Sequence, residues 1–181
     1  MNIVLSDLYA WDAAACRRLN RGNRIPVVGS IFATVSRLGD GVFWYVVILV
    51  QPLLLGLAPG LMMTVLMAVT GLLCTALYRW IKGRTRRPRP SEALAAMTLT
   101  VPPLDRFSFP SGHTLHAVCF TIMASWATPW LAWVLAPFAI LVALSRPILG
   151  LHWPSDVLVG ALIGGITAFA SIQVAGLMGI A

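Results

Sequence analysis

Charge is what this sequence has least of: only 10% of its 181 residues are charged, and just six are acidic. Soluble domains carry about 25% charged residues, so an ordinary soluble fold is excluded. With 59% hydrophobic residues and a mean hydropathy of +0.84, the chain belongs in a membrane. The few carboxylates form no cluster along the sequence, which leaves no oxygen-rich set to hold magnesium. Cysteine is scarce too: Cys16, Cys74 and Cys119 are widely spaced in apolar surroundings. They fit neither a disulfide framework nor zinc-ligand spacing and read as small buried hydrophobes. The first 24 residues contain Arg17, Arg18, Arg21 and Arg24 without an apolar core ahead of a small-residue cleavage site, so no cleavable signal peptide is expected. The net charge of +7 comes from residues beside apolar runs, where anionic headgroups explain it better than nucleic acid.

What is present is a series of apolar runs with room for one compact bundle and no soluble domain, so residues 1–181 are read as a single membrane-embedded unit. Residues 6–20 place Leu8, Trp11, Ala15 and Leu19 at helical spacing, with Arg17 and Arg18 late, predicting a helix lying in the membrane interface. Residues 25–38, interrupted by Pro26, Gly29, Ser36 and Arg37, predict a second surface helix. Spans are expected at about 41–57, 59–81, 111–127, 128–145 and 154–178, with Pro59-Gly60 turning between the first two. Thr128-Pro129 suits an N-cap followed by a proline in the first turn, and Gly160, Gly164 and Gly165 offer a small face for close packing. The fold class is therefore all-α: a polytopic membrane helix bundle of about five transmembrane helices plus an N-terminal interfacial helix. This topology puts the N-terminal arm, the 82–110 loop and the 145–156 stretch on one membrane face.

Chemistry concentrates in three short stretches on that face. Lys82 and Arg89 bracket Arg84, Arg86 and Arg87, and guanidinium forks suit phosphate or anionic headgroups. Ser111-Gly112-His113 opens a helix whose free amides and dipole favour an anion, with a histidine able to hand over a proton. His116, one turn further, reads as a packing residue. In the third stretch His152 and Asp156 are four apart, the spacing at which a carboxylate can orient an imidazole, and Arg146 is too costly to leave unpaired in lipid.

Together the three match one pattern: Lys82 to Pro90 fits K-x6-R-P, Pro110 to His113 fits P-S-G-H, and Ser145 to Asp156 fits S-R-x5-H-x3-D. The chain resembles the type 2 phosphatidic acid phosphatase family, membrane lipid-phosphate phosphatases related to vanadium haloperoxidases. The resemblance implies that His152 is the nucleophile, forming a phosphohistidine. It implies that Asp156 orients His152 and that His113 is the acid for the departing group. Lys82, Arg89, Ser111, Gly112 and Arg146 become the phosphate cradle, and no metal or other cofactor is implied. Phosphatidic acid, phosphatidylglycerol phosphate, undecaprenyl pyrophosphate and lipid A phosphates all suit such a site. Transfer of the phosphoryl group to another lipid, or a non-enzymatic transporter or scaffold with buried charges, are the alternatives. The expected partners are the lipid phosphate and surrounding membrane lipids, with no nucleic acid. The expected location is a bacterial inner membrane. Charge count turns the site to the cytoplasm, whereas the family resemblance turns it to the periplasm.

Overall fold

A computed structural model describes residues 2–95 and 97–178. The described residues form helices joined by short turns and one long loop: α1 (Asn2–Asn20), α2 (Pro26–Leu38), α3 (Val42–Leu49), α4 (Gln51–Leu55), α5 (Leu57–Thr85), α6 (Pro90–Ala93), α7 (Gly112–Ala127), α8 (Ala132–Ile148) and α9 (Pro154–Leu177). Single 3-10 turns precede α2 and α8. Among the described residues, three stretches can cross a membrane by length and composition: Leu57–Ala93, Pro129–Ile148 and Pro154–Leu177. A fourth exists if α2 and the α3–α4 pair, bent by 46° at Leu38–Val42, count as one span.

The run expected at 41–57 breaks into α3 and α4 and qualifies only together with α2, which packs on α8. The run expected at 111–127 forms α7, whose 16 residues rise about 24 Å against a hydrocarbon thickness of about 30 Å. α7 is the buried centre of the bundle, packed by α5, α8 and α9, with Leu115, Cys119, Met123 and Ala124 fully enclosed. A helix shielded by protein need not match the bilayer.

The break before α5 falls at Gly56, where φ is +86°, and not at Pro59-Gly60, which lie inside the first turn of α5. A proline is tolerated there because first-turn amides have no intrahelical acceptor. Gly60 is needed for close approach: a Cβ would lie 2.3 Å from the Pro52 backbone. Close approach also fixes α9 on α7. A Cβ at Gly160 would meet the Ser111 carbonyl oxygen at 2.6 Å and one at Gly164 the Leu115 carbonyl oxygen at 2.3 Å, while Gly165 has ordinary clearance. Two of the three glycines therefore set the interhelix distance, and Gly160 does so at the residue that opens α7. Thr128 precedes the 3-10 turn without a side-chain cap, its hydroxyl buried and unpartnered.

α1 turns its polar stripe inward. Asp12, Cys16 and Asn20, spaced by four, are buried against α8 and α9, while Leu8 and Trp11 are exposed on the outer side. Outward apolar residues are what an interfacial helix requires. The inward stripe joins α1 to the 145–156 stretch: Asn20 donates to the Ile148 carbonyl at 2.8 Å and Cys16 lies 3.9 Å from the His152 carbonyl oxygen. Burial and the nearby Asp12 push the Cys16 thiol up to about 12, so it stays a neutral packing group. Cys74 and Cys119 are free and buried.

Candidate active site

Three chain reversals assemble the site. α5 ends at Arg86, whose left-handed φ of 48° turns the chain into Arg87-Pro88-Arg89-Pro90. A residue before proline is held extended, so Arg87 and Arg89, two apart, both reach the 151–156 stretch. α7 starts at Gly112, with the Ser111 amide donating to the Asp156 carbonyl at 3.1 Å. α8 ends at a tight turn in which Gly150 adopts φ +74° and the Leu151 and His152 amides fold back on the Arg146 carbonyl at 2.9 and 3.3 Å. Only glycine takes that φ without strain, and the reversal returns His152 beside the end of α8. α9 then begins at Pro154 with the Trp153 amide donating to Asp156 Oδ2 at 2.9 Å, so Asp156 also caps its own helix.

At the centre is His152, 2% exposed, with Arg89 Nη1 at 3.5 Å from its Nε2. Its Nδ1 faces Asp156 Oδ2 at 3.6 Å, beyond hydrogen-bond length, and has no other partner among the described residues. Burial first, then the charges of Arg146, Arg89 and Lys82, hold the His152 imidazolium well below the usual histidine range, so the ring is neutral at physiological pH. Arg146 is equally enclosed. It donates through Nη1 to Ser36 at 2.6 Å, and its Nε, like that of Arg87, is buried without a partner among the described residues, a costly state for a guanidinium N–H in a protein interior.

The structure thus brings Lys82, Arg89, Arg146, His113, His152 and Asp156 to one end of the bundle. Ser111 is fully buried with its hydroxyl 3.0 Å from Thr114, and its amide is committed to Asp156. Gly112 packs under the Tyr78 ring, where a Cβ would come within 3.3 Å. His116 is a packing residue, its Nδ1 3.0 Å from the Gly112 carbonyl oxygen and its Nε2 3.2 Å from the Gly71 carbonyl oxygen.

Four further residues belong to the site. Asp40, in the bend between α2 and α3, pairs with His113 Nε2. Asp105, in the long loop, receives Lys82 and Arg89. Arg87 donates to Asp156 and Asp12, both at 2.6 Å, and to Ser155 at 2.7 Å, with the Trp153 and Tyr9 ring centroids 5.0 and 5.2 Å away. Asp12 and Asp40 carry no local signal, because their partners are more than 70 positions away. Arg87 was visible only as one of a run of bases. Asp105, 16 positions beyond Arg89, likewise carries no local signal.

The PAP2 superfamily matches residues 59–177. An undecaprenyl-diphosphatase of Sulfolobus acidocaldarius is 28% identical over 153 residues, 84% of this chain and 73% of that protein. Among solved structures, Aquifex aeolicus LpxE has a TM-score of 0.74 at 27% identity, covering 88% of this chain and 93% of its own. A transmembrane PAP2-type phosphatidylglycerolphosphate phosphatase from Bacillus subtilis has a TM-score of 0.70 at 26% identity, covering 96% and 86%.

Proposed function

The chain belongs to the PAP2 superfamily and is an integral membrane phosphatase of lipid phosphates, and from that premise we propose that residues 1–181 act as one domain that works through a phosphohistidine on His152. The observation that carries this reading is the neutral, buried imidazole of His152 whose Nε2 faces Arg89 at 3.5 Å. A neutral ring has the lone pair that a nucleophile needs.

In the proposed reaction His152 Nε2 attacks phosphorus and the bond to the leaving oxygen breaks, that oxygen taking a proton from His113. Burial and Arg146 lower the His113 pKa to about 4, while Asp40 and the incoming phosphate charge favour its protonated form. Water then forms a new P–O bond as the N–P bond breaks, and His113 recovers the proton. Lys82, Arg89 and Arg146 stabilise the charge on the equatorial oxygens throughout. Asp156 moves a few tenths of an ångström to accept from His152 Nδ1–H, fixing the tautomer and offsetting the charge that develops on the ring. Ser111 and Gly112 shape the floor at the start of α7.

The substrate we propose is a phosphomonoester or pyrophosphate on a membrane lipid. Because the Sulfolobus relative that matches 84% of this chain is an undecaprenyl-diphosphatase, a polyprenyl pyrophosphate heads the panel. Phosphatidic acid, phosphatidylglycerol phosphate and lipid A phosphates follow. The test is phosphate release across that panel by the wild-type protein and by His152→Ala. Loss of release and of phosphoenzyme labelling in the variant supports the reading, and full activity in His152→Ala overturns it.

We further propose a bacterial inner-membrane location with the site on the cytoplasmic side, where the positive-inside rule puts a face carrying all thirteen lysines and arginines. Labelling of an exposed Ala93→Cys by an impermeant maleimide in intact cells or spheroplasts, after Cys16, Cys74 and Cys119 are replaced, reverses that orientation.

A further inference from the structure

Lys82 and Arg89 share one acceptor, and it is a side chain of this chain. Lys82 Nζ donates to Asp105 Oδ1 at 2.9 Å and Oδ2 at 2.7 Å, and Arg89 Nη2 donates to Oδ1 at 2.5 Å. We infer that the Asp105 carboxylate holds the seat of the substrate's phosphoryl oxygens and must be exchanged for them, so that Asp105 selects terminal phosphates over phosphodiesters. The inference rests on the phosphatase reading above.

The donors of Arg89 are nearly all committed. Nε donates to the Asp105 carbonyl at 3.0 Å, Nη1 to the Leu151 carbonyl at 2.5 Å while facing His152, and Nη2 to the Phe107 carbonyl at 3.3 Å as well as to Asp105 Oδ1. A guanidinium has five N–H groups, so Arg89 cannot fork onto a phosphate until the carboxylate leaves. Asp105 is able to leave. Its side chain is 41% exposed, whereas those of Lys82 and Arg89 are 7% and 2% exposed. The bases are fixed within the protein and the carboxylate enters from the mouth. Arg89 also grips the loop through the backbone carbonyls of Asp105 and Phe107, bonds that do not involve the carboxylate, so the side chain can swing outward while its backbone stays anchored.

Exchange selects by charge. Asp105 offsets part of the charge of Lys82, Arg89 and Arg146, and a terminal phosphate dianion brings these bases one more negative charge than the carboxylate it displaces. It also brings three terminal oxygens to the freed donors. A phosphodiester has the single charge of the carboxylate and gains nothing by replacing it. The distinction matters at this location, because the mouth lies at a membrane surface crowded with diester headgroups, all of which would otherwise compete for the basic cradle.

The test uses the full chain in detergent micelles. Competition by inorganic phosphate, and inhibition by phosphatidylglycerol relative to diacylglycerol at the same mole fraction, are measured for wild type and Asp105→Asn. The expected result is roughly tenfold tighter phosphate inhibition in the variant, since apparent affinity rises as the competent fraction rises, together with inhibition by phosphatidylglycerol that wild type resists. Unchanged phosphate and phosphatidylglycerol inhibition in a folded Asp105→Asn overturns the inference, as does a loss of kcat with no gain in phosphate affinity. If the amide variant does not fold, Asp105→Ser removes the same charge and is judged by the same outcomes. Failure here while His152→Ala is inactive removes only this inference, whereas activity in His152→Ala removes the phosphatase reading beneath it.

Discussion

Arg87 and Arg89 stand on either side of Pro88 and have opposite surroundings. Arg87 is bonded to two fully buried carboxylates, Asp12 and Asp156, and lies near two aromatic rings. Arg89 is itself more deeply buried, at 2% against 12% for Arg87, but the one carboxylate its guanidinium meets among the described residues is the 41% exposed Asp105. An arginine whose counter-charges are buried with it is bound permanently, because separating the pair would leave a charge without water or partner. An arginine whose counter-charge lies at the mouth can change partners at little cost. The segment thus holds one base that ties the bundle together and one that is available to a ligand, and the accessibility of the partner tells them apart.

The largest effect expected from breaking this comparison is on the ligand side. Arg89→Gln should lower kcat/KM by about 10²–10³, measured as phosphate release at a temperature where the variant is folded, because the bonds of Arg89 to the Asp105, Phe107 and Leu151 carbonyls are lost with it. Arg87→Gln acts first on stability: Asp12 and Asp156 lose their shared cation inside the protein, a change worth about 3–5 kcal/mol. Unfolding measurements check it, and an Arg87→Gln protein as stable as wild type would show that the two arginines do not divide as described.

Much of this division could not be read along the chain. The ends of K-x6-R-P mark Lys82 and Arg89, and the H-x3-D spacing marks His152 and Asp156, because each pair lies within one local segment. Arg87 differs from Arg84 and Arg86 only through partners on α1 and α9, which no local pattern records. Asp12 is marked only by α1 turning its polar stripe inward, which is settled by packing on α8 and α9. The expected turn at Pro59-Gly60 misplaced a real signal: Gly60 is required because the Pro52 backbone passes within 2.3 Å of where a Cβ would sit. The interval between the second and third motifs is filled by α7 and most of α8, and Gly150 turns the chain inside the third motif, so the 145–156 stretch is legible from its own residues. Apolarity identifies a helix as buried without saying whether lipid or protein buries it, and α7 is the case where that distinction mattered.

The pH dependence sharpens the comparison with a smaller effect. His152 is kept neutral by burial and by Arg146, Arg89 and Lys82, so the acid limb of kcat/KM that reports its protonation should lie below the ordinary histidine pKa of about 6.5. The neutral ring persists as pH falls below that value, and burial, which raises the Asp156 carboxyl to about 6, adds a separate acid limb there as the orienting carboxylate is lost. Arg89→Gln removes one of the repelling charges and should move the His152 limb upward. Arg87→Lys keeps its charge beside Asp156 and should leave that limb where it is. A pH–rate profile for each variant decides this, and an equal upward shift in both would place Arg87 in the electrostatics of the nucleophile.

The smallest effect belongs to Asp12, the outermost member of the buried network. Its carboxylate accepts from Arg87 Nη2 at 2.6 Å and from the Ser155 amide at 2.9 Å, and also pairs with the Ser155 hydroxyl. Asp12→Asn retains one acceptor oxygen, so whichever way the amide faces, its NH2 group opposes either Arg87 or the Ser155 amide. The loss of one charge-assisted bond should cost about 2 kcal/mol of stability. Arg87 would still be held by Asp156 and Ser155, and Asp156 would still be capped by the Trp153 amide at 2.9 Å, so the carboxylate beside His152 hardly moves. Turnover at a temperature where the variant is folded should therefore stay within about threefold of wild type, well under the 1.36 kcal/mol that a tenfold change requires. Thermal unfolding and initial rates on the same preparation separate the two effects. A folded Asp12→Asn that turns over a hundredfold more slowly would mean that α1 acts on the nucleophile through Arg87, and the line between the permanent pair and the exchangeable one would have to be redrawn with Arg87 on the reactive side.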